Sequence, residues 1–177
     1  MTTPAEATPS LRSIRLRVNG REHTFRVDPA TPLIYILRND LGLKAAKLAC
    51  GLEQCGACKV LIDGQARPSC KIPVGELQGR EIVTLEGLAA DGSLHPVQQA
   101  FVDEQATQCG YCAPGMIMAA IALLKQNPQP SDDDIGRGLA RHLCRCGAYP
   151  RIIRAVRRAA QQAAQQAAQQ AAQEVQP

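Results

Sequence analysis

Eight cysteines in two sets of four constrain this 177-residue chain more than any other feature. The first set is spaced Cys50-x4-Cys55-x2-Cys58-x11-Cys70, and the second couples Cys109-x2-Cys112 with Cys144-x-Cys146. In the first spacing, a tight loop supplies three thiolates to a [2Fe–2S] cluster and the returning chain supplies the fourth. The two close pairs of the second set, brought together by folding, can enclose another cluster. Every cysteine is then used, and the sequence reads as an electron wire with two stations.

Two other uses of the cysteines compete with this one. Eight cysteines allow 105 disulfide connectivities, but three of the spacings are too close to suit staples better than a shared metal. No secretory signal points to an oxidising compartment. Structural zinc also takes four cysteines. A zinc ribbon repeats Cys-x2-Cys after about fifteen to twenty residues, whereas here 50 residues separate Cys58 from Cys109. The x4-x2 loop is not a zinc spacing. Zinc therefore stays open mainly at the second set. Gly51, Gly56, Gly110 and Gly147 each adjoin a cysteine. A loop wrapped on an anionic cluster must turn sharply and aim N–H groups at sulfur, which favours residues without a Cβ.

Composition narrows the class. Hydrophobic residues make up 45% and aromatics only 3%, with no Trp. So small a core gains from a bound group that also staples the fold. The formal charge of +4 counts thiols as neutral. Two oxidised clusters at about −2 each bring it to roughly zero, so the apparent basicity is no argument for nucleic acid. No apolar run approaches the ~18 residues of a membrane span. Residues 1–10 are read as a flexible arm, and the Ala/Gln repeat of 159–177 as a fraying helical extension or disordered tail.

Between these ends the pattern divides. Leu11 to Val18 alternates as a strand, Asn19-Gly20 makes a hairpin turn, and Glu22 to Val27 returns. Thr31 is expected to cap a helix with Pro32 in its first position, running to Gly42. After the cysteine loop, Lys59 to Ile62 and Gln65 to Ser69 flank Asp63-Gly64 as a second hairpin, and Ile82 to Leu85 adds a strand. Residues 11–86 thus predict a small β-grasp domain. From Leu94 the period becomes helical. Helices are expected over Pro96 to Gln108, Pro114 to Leu124, from an N-cap at Ser131 to Leu143, and from Pro150 onward. Residues 87–158 are accordingly a four-helix domain around the second set. The fold class is α+β, a plant-ferredoxin-like β-grasp domain followed by a four-helix [2Fe–2S]-binding domain.

Three strings carry a family resemblance: Cys50-x4-Cys55-Gly-Ala-Cys58, Gln108-Cys-Gly-Tyr-Cys-Ala-Pro-Gly115 and Leu143-Cys-Arg-Cys-Gly147. Together they resemble the iron–sulfur subunit of the xanthine oxidase family of molybdenum hydroxylases, over about residues 11 to 158. The resemblance implies two [2Fe–2S] clusters, on Cys50, Cys55, Cys58 and Cys70 and on Cys109, Cys112, Cys144 and Cys146. It implies a large partner subunit carrying molybdopterin cytosine dinucleotide, with the second cluster nearer the molybdenum. Gln108 matches the family's pterin-bonding glutamine, and Cys146 a ligand whose surroundings also touch the pterin. An amide suits this role because it both donates and accepts. Gly147-Ala148 stands where most relatives have Thr-Gly, as in the branch of isoquinoline oxidoreductase, nicotinate dehydrogenase and some bacterial aldehyde dehydrogenases. Several of these pass electrons to cytochrome c rather than to a flavin (FAD) subunit.

The function expected is electron transfer from molybdenum in a partner to a cytochrome or flavin acceptor, with an aldehyde or N-heteroaromatic as the partner's substrate. A stand-alone ferredoxin-like carrier is the alternative, but it has no use for the helical domain. No nucleophile, base or substrate pocket is visible on this chain. His142 is expected at a surface or interface, not as a ligand, because the cysteines already complete two sets. His23 and His95 carry no functional claim. Arg137, Arg141, Arg145, Arg151, Arg154, Arg157 and Arg158 are either a solvated helix face or partners of cluster and cofactor charge. The cytoplasm is the expected location, with the periplasm or a membrane surface reached through a partner.

Overall fold

The computed structural model describes residues 10–89 and 92–174; the arm at 1–9 and residues 175–177 lie outside them. The N-terminal part is a five-stranded sheet in the order β2-β1-β5-β3-β4. Strands β1 (Arg12–Val18) and β2 (Arg21–Val27) form the expected hairpin, as do β3 (Lys59–Ile62) and β4 (Gln65–Pro68). Strand β5 (Glu81–Val83) lies between them, parallel to β1 and antiparallel to β3. Alternation buries Ile14, Leu16 and Val18 on one face of β1, against Leu33, Ile36, Leu37, Val60 and Ile82. Helix and sheet thus share one apolar core, the arrangement of a β-grasp.

The first helix departs from expectation. Pro32 is the capping residue, extended at ψ 136, with no side-chain cap. Thr31 does not cap because its carbonyl accepts from Val74 N–H at 2.9 Å, and Pro32 bridges to Pro73. The N–H groups a cap would serve are taken by the returning chain: Leu33 donates to Ile72 O at 2.9 Å and Ile34 to Ser69 O at 3.0 Å. Helix α1 (Leu33–Tyr35) therefore holds the segment that carries Cys70. It continues as a π-type turn over Ile36–Asp40 and stops at Gly42, where φ is +69 and Leu43 N–H reaches back to Leu37 O at 2.8 Å. That is the left-handed ending expected of a helix-terminal glycine.

Four helices follow: α2 (Pro96–Asp103), α3 (Ala113–Gln126), α4 (Asp132–Leu139) and α5 (Tyr149–Glu174). They enclose Val97, Phe101, Met116, Ile135, Ile152 and Val156. Helix α2 ends five residues before Gln108 (Asp103 against 108). Its chain turns through the left-handed Gln105 while Ala106 N–H bonds Phe101 O at 2.9 Å. Ser131 caps α4 as expected, reciprocally with Asp134. That helix ends at Leu139 rather than Leu143, and 140–146 run as turns and irregular chain. Helix α5 runs through the Ala/Gln repeat to Glu174 as ordered helix, consistent with the high helix propensity of Ala and Gln.

Helix α3 joins the two parts. Its Met118 and Ala122 bury against Leu61 of β3. A methyl placed on Gly115 would overlap the Gly56 carbonyl oxygen and lie 3.0 Å from its carbonyl carbon. Only a glycine admits so close an approach of helix to cysteine loop. No helix among the described residues is long and apolar enough to cross a membrane.

Candidate metal centres

All eight cysteines carry free thiols. Each thiol feels a near neighbour: Cys50 and Cys55, Cys58 and Cys70, Cys109 and Cys146, and Cys112 and Cys144, with Cys109 also acting on Cys112 and Cys144 on Cys109. Among the described residues no three His, Cys, Asp or Glu groups converge as a single ion requires. A [2Fe–2S] rhomb asks for this pairwise arrangement, because each iron takes two thiolates and shares two sulfides. A mononuclear zinc needs four donors at one point, so the donor set fits a two-iron cluster better than zinc at both places.

Position in the fold tunes each thiol. Leu52 N–H donates to Cys50 Sγ at 3.3 Å. With the Cys55 and Gln54 N–H groups it overrides burial and lowers the thiol to about 7. Cys58 is pushed up to about 11 by burial, inside a small apolar cluster with Ile34 and Cys70. In the second set, Cys109 is lowered by Tyr111 N–H and then by the Cys146 thiol. Cys112 is pushed up to about 12 by burial and then by Cys144. At Cys144 burial pushes up, but the Ala148, Cys146 and Gly147 N–H groups and the Cys112 thiol prevail, and the net shift is downward. Each loop thus aims backbone N–H groups at sulfur, which stabilises the thiolate a metal needs. The raised thiols, Cys58 and Cys112, would lose their protons to a metal that displaced them. All four cysteine-adjacent glycines have positive φ, between 65 and 78, as the loop argument expects.

The two loops meet. Leu143 N–H donates to Cys55 O at 3.0 Å, so one hydrogen bond joins a residue of the first set to the neighbour of Cys144. The Tyr149 hydroxyl accepts from Cys144 N–H at 2.8 Å and donates to His142 O at 3.2 Å, clamping the segment after α4. Tyr111 Oη donates to Leu48 O at 2.6 Å, a second tie between the loops. His142 is not a surface residue: it is 5% exposed, because α4 ends early and the turn that follows sets its ring against Gly56. Its Nε2 is the one buried side-chain polar atom among the described residues with no hydrogen-bond partner of good geometry. Burial, then the Lys59 charge, holds its pKa down at about 4, against the opposing pull of Leu139 and Gly115 backbone groups.

Gln108 sits exposed in the bend after α2, not at a helix end, and adjoins the exposed Cys109. Cys109 in turn feels the Cys146 thiol. Four of the seven arginines resolve as a solvated, ion-paired face. Arg137 pairs with Asp134, Arg154 with Glu104, Arg157 with Asp132, and Arg158 with Asp103 and Glu104. Arg151 reaches Gln105 O at 3.4 Å. Arg141 and Arg145, beside the second set, form no ion pair among the described residues. The Tyr149 clamp, the Gly115 approach and the burial of His142 were not visible in the sequence; only the Tyr149-Pro150 helix start hinted at the first.

These features define an iron–sulfur protein of two [2Fe–2S]-binding domains. Residues 16–83 match the model of the 2Fe-2S iron-sulfur cluster binding domain, and residues 84–157 that of the [2Fe-2S] binding domain. The chain is 56% identical over 145 residues to a nicotinate dehydrogenase subunit of Pseudomonas putida, covering 82% of this chain and 92% of that one. It is 47% identical over 144 residues to an isoquinoline 1-oxidoreductase subunit of Brevundimonas diminuta, covering 81% and 94%. Quinoline 2-oxidoreductase of Pseudomonas putida superposes with TM-score 0.83 at 35% identity, over 88% of this chain and 98% of that chain. Aldehyde oxidoreductase of Desulfovibrio gigas superposes with TM-score 0.80 at 37% identity, over 85% of this chain but only 17% of that much longer one. The chain belongs to the small iron–sulfur subunits of the xanthine oxidase family of molybdenum hydroxylases.

Proposed function

We propose that the chain conducts electrons from a molybdopterin centre in a large partner subunit, through two [2Fe–2S] clusters, to an external acceptor. Cys50, Cys55, Cys58 and Cys70 hold one cluster, and Cys109, Cys112, Cys144 and Cys146 hold the other. When bound, each cluster supplies a one-electron station. The observation that carries the reading is the Leu143 N–H···O=C Cys55 bond. A polar bridge between two ligand sets has a purpose in a two-station conductor and none in a free carrier. The exposed edge at Gln108 and Cys109 faces the partner's cofactor, molybdopterin cytosine dinucleotide. The first loop, with Leu52 59% exposed, faces the acceptor, a cytochrome or flavin group. The likeness to nicotinate and isoquinoline enzymes supports an N-heteroaromatic as the partner's substrate, and the aldehyde oxidoreductase likeness an aldehyde.

Purified protein is expected to hold about four iron and about four acid-labile sulfides per chain, as two four-thiolate clusters require. Half that content in a fully loaded sample, or zinc in the second set, would overturn the two-station reading.

Gln108 offers an amide edge to the pterin, and Cys146 lies beside it. Gln108→Ala is expected to leave both clusters assembled, since the side chain is exposed and supplies no thiolate. In the assembled complex it removes a hydrogen bond worth about 1–3 kcal/mol when its partner is left buried. Single-turnover reduction of the clusters by substrate should slow, or molybdenum retention should fall. An unchanged rate with unchanged molybdenum content would make Gln108 an ordinary surface glutamine.

A further inference from the structure

One planar unit carries the tie between the two ligand loops. The peptide joining His142 to Leu143 gives its N–H to Cys55 O at 3.0 Å, and its carbonyl accepts from the Tyr149 hydroxyl at 3.2 Å. This peptide is trans, hence flat, with its N–H and C=O on opposite sides. Tilting it at one end therefore tilts it at the other. The next peptide gives the Cys144 N–H to the same hydroxyl at 2.8 Å. The Cys144 carbonyl accepts from Gly147 N–H at 3.2 Å, closing the turn that bears Cys146.

Leu143 itself has little packing to hold it, since its side chain is 64% exposed. Tyr149 stands on a fixed base. It opens α5, and the Ala148 carbonyl before it accepts from Arg151 and Ile152 N–H at 3.1 and 3.0 Å. Ala148 and Ile152 are both buried. Only a group that donates and accepts can serve a carbonyl and an N–H at once, which a hydroxyl does and a bare ring does not.

We propose that Tyr149 is a positioning residue for the second cluster and for its tie to the first. Its hydroxyl sets the two peptides that flank Leu143, and through them the direction of the Cys144 thiolate and of the Leu143 N–H. This rests on the two-cluster function proposed above. Groups behind a metal ligand orient it and tune the site, and a helix is a rigid base for such a group. Without the hydroxyl, the N–H of buried Cys144 and the carbonyl of buried His142 lose their partner, and the peptides turn toward others. That turn carries the Cα–Cβ bond of Cys144 and the Leu143 N–H with it.

The test is Tyr149→Phe in the assembled complex, read by hydrogen exchange at single residues and by the electron paramagnetic resonance of each reduced cluster. Exchange is expected to quicken about tenfold at Cys144 and also at Leu143, whose N–H the tyrosine never touches. The second cluster's signal should shift while that of the first stays parental. Tyr111→Phe, which removes the bond to Leu48 O, should leave exchange at Leu143 parental. Faster exchange at Cys144 alone, with both signals parental, overturns the proposal. So does a lower Tm with no other change, since either result makes the hydroxyl a structural bond only. Equal quickening at Leu143 in Tyr111→Phe, a general loosening of the loops, overturns it too. Should Tyr149→Phe fail to load the second set, para-aminophenylalanine at this position decides, because its amine still donates and accepts. Loading with a parental signal supports the proposal, and failure to load, which points to the fit of the ring, overturns it. Parental complex with only one cluster would instead overturn the function on which it rests.

Discussion

Cys144→Ser is expected to lower the iron content from about four to about two per chain, with the remaining spectrum that of a single cluster. Cys144 shares its pair with Cys112, whose thiol burial pushes up to about 12. Without a second thiolate on the same iron, little remains to displace that proton, and the site should not load. The first set should survive the loss. Cys58 and Cys70 are packed with Ile34, and the segment carrying Cys70 is held by the N–H groups of α1. The loop contact that crosses to Cys55 is a backbone bond from Leu143, which the substitution leaves in place. Iron analysis and visible absorbance of the purified chain check this, and reduction by substrate in the complex should stop at the gap. Loss of all iron from a chain that still folds would show that the two sets assemble as one unit.

Gly115→Ala is expected to be strongly damaging for so small a substitution. The added methyl would overlap the Gly56 carbonyl, and backbone on both sides cannot swing away as a flexible side chain would. Overpacking of this kind costs about 1–3 kcal/mol and occasionally more. For a chain of this size that corresponds to roughly 2–12 °C in Tm. The cost should appear as earlier bleaching of the clusters on heating, because the displaced backbone lies between Cys55 and Cys58. Gly136→Ala is the matched control. Gly136 lies inside α4 with open space around it, so alanine there should raise stability by about 0.5–1 kcal/mol. Equal Tm values for the two variants would show that α3 does not need its close approach.

Local chemistry was legible in the sequence, and what the rest of the fold imposes was not. Asn19-Gly20 and Asp63-Gly64 specified both hairpins, and Ser131 with three following aspartates specified the start of α4, because each signal acts within a few residues. Thr31 failed as a cap for a tertiary reason: the chain around Cys70 and Val74 satisfies the same backbone groups. The ends of α2 and α4 were overrun because helical periodicity continues past Asp103 and Leu139, while contacts to α5 and to the cysteine loop draw the chain away. His142 was assigned to a surface or interface because the cysteines already complete two sets; an early helix end, invisible in the residue pattern, buries it. The spacing divides the cysteines into two sets, but which thiols of the second set lie next to one another depends on how α3 and the segment after α4 meet.

The contact of Gly115 with Gly56 also bears on timing. Proteins that carry charge on a tethered, swinging domain must wait for that domain to diffuse between docking positions, so solvent viscosity sets their pace. Here helix α3 is seated on β3, the backbones touch without an intervening side chain, and Leu143 is bonded to Cys55. For the two clusters proposed above, the separation is then a fixed dimension of the folded chain, and passage between them would wait on no hinge.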